Sequence, residues 1–166
     1  MAIQYIEKLN CFKLDTLGSS YIIKLYEEGY LFHVYYGAKI PDEHFDTSII
    51  KGYYNSIYPS NENLVHDRVS PDIIAMEYSG FNVGDYRPES IRIKNHAGNV
   101  ATDLRYRSHT ITNGKPKLEG LPSLYITNDN QAQTLAIETI DSALKNESSG
   151  KVSLTQTTNK AWHDSY

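Results

Sequence analysis

The sequence predicts an all-β, mostly antiparallel fold, a sandwich or a barrel. Three observations carry that prediction. Short runs alternating between apolar and polar residues recur along the 166 residues, with the two-residue period of a strand that buries one face. Turn signals separate the runs at close intervals, and about nine short strands in series is the signature of a sandwich or a barrel. No long amphipathic helix competes with them. The length suits one domain with one respectable core, and two domains would be cramped.

In chain order, residues 3–8 and 11–15 flank Leu9-Asn10 and predict an opening hairpin. Residues 20–26 and 30–36 flank Glu27-Glu28-Gly29 and predict a second, because a Gly-containing loop of that length supports hairpin closure. The run 30–36 is almost wholly apolar, so a central strand covered on both faces is expected, ended by Gly37. From 38 to 87 neither strand nor helix period persists, and Pro41, Pro59 and Pro71 interrupt short aromatic pieces. Its many Tyr and Ile residues argue against disorder, so an ordered loop region is expected.

Alternation returns over 90–94, followed by a turn at 95–99. Next comes the most informative stretch, 101–125. Leu104, Tyr106, Ser108, Thr110 and Thr112 alternate there with Arg105, Arg107, His109 and Ile111. Asn113-Gly114 ends the run with a strong hairpin signal, since both residue types tolerate φ > 0, and Lys115-Pro116 limits further pairing. Residues 124–126, a turn at Asn128-Asp129-Asn130 and the run 134–140 complete the strands. Residues 146–166 are rich in Ser, Thr, Asn and Lys apart from Val152-Ser153-Leu154 and are expected to fray.

Composition excludes several classes of function. The net charge of -4 and pI near 5.8, with no stripe of Lys and Arg, argue against nucleic-acid binding through the backbone. No stretch approaches the roughly 20 apolar residues that span a bilayer, and Met1-Ala2-Ile3-Gln4 begins no secretion signal, so a cytoplasmic protein without a membrane partner is expected. The single cysteine, Cys11, has no internal disulfide partner and reads as a packing thiol in a reducing compartment. Fourteen tyrosines against four phenylalanines and one tryptophan suit half-buried strands first, and contact with sugars or proteins second.

The six histidines are scattered, with no short His/Cys pair, so neither a metal nor another cofactor is expected. No Gly-rich phosphate loop and no Gly-x-Ser-x-Gly elbow is present. The candidate polar groups are His66-Asp67-Arg68 and Gly84-Asp85-Tyr86-Arg87. Each places a carboxylate beside a guanidinium in the irregular region, where loop side chains converge on ligands. Guanidinium forks donate to sugar hydroxyls and carboxylates accept from them. The plainer reading is a solvated ion pair within each loop.

The ordered series at 29–37, Asp67-Arg68, Met76-Glu77-Tyr78, Gly84-Asp85-Tyr86-Arg87, Ala101 to Tyr106 and Gly120 to Tyr125 resembles the N-terminal β-sandwich of family 36 glycoside hydrolases, the bacterial-type α-galactosidases, over residues 2–144. The resemblance implies a retaining enzyme that releases terminal α-galactose from raffinose, melibiose and related sugars by a two-carboxylate mechanism. The family's catalytic aspartates sit on a following (β/α)₈ barrel of about 250 residues, so no catalytic residue is expected here. The resemblance implies a mostly antiparallel, supersandwich-like β-sandwich that is incomplete, a fragment whose residues 145–166 diverge from the family pattern. Loops of the family's sandwich reach the rim of a catalytic pocket, often in a neighbouring subunit of a homotetramer. The resemblance therefore implies Asp67 and Arg68 as substrate-rim residues for galactosides in the full-length context, Arg68 above all. An acidic residue that some members place earlier has no match, since Gly52-Tyr53-Tyr54-Asn55 stands there. Asp85 and Arg87 match a family motif with sugar-binding and structural roles both open. The alternatives are a stand-alone sugar-binding module, with Tyr53, Tyr54, Tyr58 and Arg68 as a lectin-like face, and a module for subunit assembly.

Overall fold

A computed structural model of the chain describes residues 2–26, 29–42, 74–80, 87–94, 98–116, 120, 126, 128–142 and 151–159. They form two antiparallel sheets. The first has the order β1 (Ile3–Ile6), β2 (Cys11–Asp15), β3 (Ser19–Leu25), β4 (Leu31–Ala38). The second has the order β5 (Leu104–Asn113), β6 (Ala132–Asp141), β7 (Lys151–Asn159). Both predicted N-terminal hairpins are present, and β6 covers the predicted run 134–140.

The turns follow from their residues. A 3₁₀ turn over Glu7–Leu9 ends at Asn10, whose φ of 50° is a left-handed conformation that Asn tolerates better than most residues. The second hairpin closes through Gly29 at φ 85°, where a side chain would be strained. Its N–H donates to the Tyr26 carbonyl at 2.9 Å, and Tyr26 N–H donates to Tyr30 at 2.9 Å.

The sheets meet face to face. Ile3, Phe12, Leu14, Ile23 and Leu31 of the first sheet form one buried cluster with Leu135 and Ile137 of β6, and Tyr5, Tyr21, Leu25, Tyr106 and Ile111 pack around it. Each large apolar side chain so buried contributes on the order of 1.5–3 kcal/mol, and two sheets sharing one core make a sandwich.

Four sequence expectations are corrected. The strand buried at every position is β2, not the apolar run 30–36. Among the described residues that run belongs to the edge strand β4, and it is apolar because Phe32 forms an isolated bridge with Met76, which covers one half of the edge. Asn113-Gly114 ends β5 without a tight turn, for β5 pairs with β6 across the connection 114–131, with Asn113 opposite Gln133. Residues 90–94 join no strand, although exposure alternates along 91–94. Finally, the expected fraying of 145–166 does not hold over Lys151–Asn159, which pairs with β6 along its length.

The alternation of β5 is also interrupted. A bulge shifts its register between Tyr106 and Ser108, and an extra residue on one strand exchanges the faces beyond it. The inward set becomes Leu104, Tyr106, His109 and Ile111, opposite Asp141, Thr139, Ile137 and Leu135. Ser108, Thr110 and Thr112 are left exposed.

Candidate functional site

The residues 43–73 and 81–86, which carry Asp67, Arg68 and Asp85, together with Tyr53, Tyr54 and Tyr58, lie outside the described residues. The structure describes the scaffold from which those segments leave and to which they return. Three polar nodes hold it.

The first node fixes the departure at 40–42. Lys13 alternates with Phe12 and Leu14 along β2 and so points away from the intersheet core. Its side chain is nevertheless 1% exposed. Nζ donates to Asp15 Oδ2 at 3.0 Å, to the Ile40 carbonyl at 2.7 Å, and to Asp42. Ser20 Oγ donates to Asp15 Oδ1 at 2.6 Å and accepts from Ile40 N–H at 3.1 Å. Burial opposes the charge on Lys13, but the hydrogen bonds to Asp42 and Asp15 outweigh it and hold the ammonium above its ordinary value. The same bond from Lys13 holds the Asp42 carboxyl below the ordinary carboxylate range.

The second node fixes the return at 74–80. His33 N–H donates to Ala75 and Glu77 N–H to Leu31, at 2.8 and 2.9 Å. Tyr21 Oη lies 2.7 Å from both oxygens of Glu77, and His33 Nδ1 is 3.9 Å from Oε2. Arg87 Nη1 donates to the Ile74 carbonyl at 2.7 Å. Tyr30, Phe32 and Ile74 form a small buried cluster beneath, with Tyr26 and Met76 against it. A Cβ on Gly80 would stand 2.3 Å from the Thr102 carbonyl oxygen, so only glycine lets this segment lie against the approach to β5.

The third node ties the second hairpin to the other sheet. Tyr106 N–H donates to the Gly29 carbonyl at 2.7 Å. The Arg105 guanidinium carbon lies 3.6 Å from the Tyr30 ring centroid, while Nη2 donates to Tyr30 Oη at 2.6 Å and Nε to Asp103 Oδ1 at 2.9 Å. Tyr30 Oη donates onward to Asp103 at 3.1 Å, Ser142 Oγ donates to the other Asp103 oxygen, and Asp141 Oδ1 accepts from Asp103 N–H at 2.9 Å. A buried ion pair so ringed by hydrogen bonds fixes geometry, because each charge is costly without its partner.

Of the four predicted site residues, only Arg87 is therefore placed, and it clamps backbone at the loop's return. Lys13, Asp15, Glu77, Asp103 and Arg105 are not among the site residues the sequence predicts. A usable signal existed for one pair: Asp103 and Arg105 stand two apart at the start of a strand, which puts both side chains on one face.

The fold and its nodes define a β-sandwich scaffold that secures loop ends. Its sequence matches the glycosyl hydrolase family 36 N-terminal domain over residues 29–159, and the chain belongs to that family. The match runs through β7, beyond residue 144. The chain is 31% identical over 137 residues to α-galactosidase AgaA of Geobacillus stearothermophilus, covering 82% of this chain and 18% of AgaA. It is 34% identical over 143 residues to the bifunctional α-galactosidase/sucrose kinase AgaSK of Mediterraneibacter gnavus, covering 85% of this chain and 15% of AgaSK. The crystal structure of the α-galactosidase AgaB of Geobacillus stearothermophilus superposes with a TM-score of 0.80 at 30% identity, covering 98% of this chain and 21% of that one. The chain thus spans about a fifth or less of each of these relatives.

Proposed function

We propose that this chain is the non-catalytic N-terminal β-sandwich of an α-galactosidase, presenting loops to the rim of a galactoside pocket and contributing to subunit assembly as a homotetramer. The observation that carries the reading is the family match over 29–159 joined to coverage of 21% of a solved α-galactosidase. A (β/α)₈ barrel takes about 250 residues, more than this chain has in all, so the two-carboxylate chemistry of galactoside release belongs to other parts of the enzyme. Raffinose and melibiose are the substrate class we assign to that whole enzyme, and the cytoplasm its location, where the buried free thiol of Cys11 stays reduced.

Within the domain we assign the rim contact to Asp67 and Arg68, with Arg68 donating to sugar hydroxyls and Asp67 accepting from them. Arg87, two positions after Asp85 in the sequence, is bound to the Ile74 carbonyl. Support for the rim comes from the two nodes that fix residues 40–42 and 74–80 on either side of the segment carrying Asp67-Arg68.

Two assays test the reading. The purified chain is expected to leave a chromogenic α-galactoside uncleaved, and turnover by the chain alone would overturn the assignment. Grafted in place of the sandwich of a family member, the domain is expected to support activity that Arg68→Ala lowers by about tenfold to a hundredfold in kcat/KM, the worth of a charge-assisted hydrogen bond. An unchanged kcat/KM would remove Arg68 from the rim.

A further inference from the structure

The bulge in β5 turns one polar ring into the layer between the sheets, and we propose that this residue, His109, is an acid-sensitive latch: its neutral imidazole holds β5 against β1 and β2, and proton uptake loosens that junction. The proposal is independent of the galactosidase reading. Its basis is the box of rings around His109. Phe12 of β2 meets the imidazole edge-on at 4.8 Å between centroids, Tyr5 of β1 lies at 5.1 Å, and Tyr106 of β5 at 6.1 Å. Tyr5 also packs on Phe12 at 4.8 Å, so the imidazole sits against a pair of rings from the opposing sheet. Tyr106 Oη is hydrogen-bonded to His109 Nδ1 at 2.8 Å.

The groups facing the ring element by element are these. From β1 it is Tyr5 and from β5 Tyr106, both phenols that burial pushes up and so keeps neutral. From β2 it is Phe12, since Lys13 and Asp15 occupy the other face. From β6 it is Ile137, the register partner of His109, while Glu138 is occupied by Ser108 and Arg107 on the outer face. Among the described residues no carboxylate contacts the imidazole. Among the described residues a charge placed there loses hydration and finds in return only neutral rings and the Tyr106 hydroxyl. Burial accordingly holds the His109 pKa below the ordinary histidine value.

The sign follows. The folded state takes up its proton at lower pH than the unfolded chain, so the stabilisation is complete above about pH 6.5, the unfolded value, and is lost as pH falls through the folded value. The backbone ladders within each sheet involve no titrating group, so protonation of His109 acts on the contact between sheets.

The test uses the full chain. Its six histidines are assigned and titrated by NMR, and urea denaturation is followed between about pH 7.5 and pH 5 for the unmodified protein and for His109→Phe. His109 is expected to titrate below free histidine, and the unmodified protein's denaturation midpoint to fall on acidification by at least twice as much as that of His109→Phe. A His109 titration at or above the free value, or equal midpoint shifts in the two proteins, would overturn the latch. Should the variant not fold, the titration of the unmodified chain decides alone.

Discussion

Two faces of one strand close in opposite ways. On β2, Phe12 and Leu14 turn inward and are buried by Ile3, Ile23, Leu31 and the β6 residues Leu135 and Ile137. Lys13 and Asp15 turn outward and are buried as well, beneath the Ile40–Asp42 backbone and through mutual hydrogen bonds. The inner face is non-directional and tolerates some repacking. The outer face is directional, because each of its charges depends on a named partner. Alternation along a strand distinguishes its faces but does not say which of them meets water.

Substitutions sharpen the contrast. The largest effect is expected for Phe12→Ala, which should lower unfolding free energy by about 3–5 kcal/mol in urea titration. A loss under about 1 kcal/mol would mean that the shared core lies elsewhere. Next, Arg105→Met strips the cation from buried Asp103 and should cost about 3 kcal/mol. Adding Asp103→Asn should recover part of that loss, a non-additivity that a double-mutant cycle reads directly. Lys13→Met should cost less, about 1–3 kcal/mol, because Asp42 is 55% exposed and regains water while Asp15 does not. The smallest effect belongs to Arg107→Ala, whose pair with Glu138 at 3.4 Å is exposed. A shift within about 0.5 kcal/mol is expected.

Acid separates the two faces a second time. The Asp42 carboxyl is held below its ordinary value of 3.8, first by the hydrogen bond from Lys13. A group lowered in this way stabilises the fold above its unfolded value, and the contribution disappears as pH falls through the folded one. In Lys13→Met that acid limb should flatten, whereas the His109 contribution in the higher window should remain. Denaturation curves for both variants across the acid range check this, and a Lys13→Met protein with the full acid limb would detach Asp42 from Lys13.

What the sequence made legible were features with local causes. Asn10 and Gly29 marked their turns because each occupies a left-handed conformation, and the run 134–140 announced β6 by its period. Features set by distant partners were hidden. The apolar character of 30–36 arises from Met76 and Ile74 far along the chain, so it read as a central strand. The bulge near Arg107 leaves no mark in the alternation of β5, yet it moves His109 inward and Ser108 outward. Residues 151–159 are polar by composition, and they form a strand because β6 presents them with a complete ladder. For the candidate site, residue types indicated loops rich in guanidinium and carboxylate groups, but the anchors Lys13, Glu77 and Arg105 lie within or against strands and are defined only by what folds onto them.

The strands β2 and β6 are internal to two sheets that share one core. Amide hydrogen exchange on the full chain tests that arrangement most directly. The slowest amides are expected in Phe12 to Leu14 and in Leu135 to Ile137, exchanging at a common rate, with β4 beyond His33, an edge among the described residues, faster. Amides of β2 exchanging as fast as those of β4, or β2 and β6 opening independently, would contradict it.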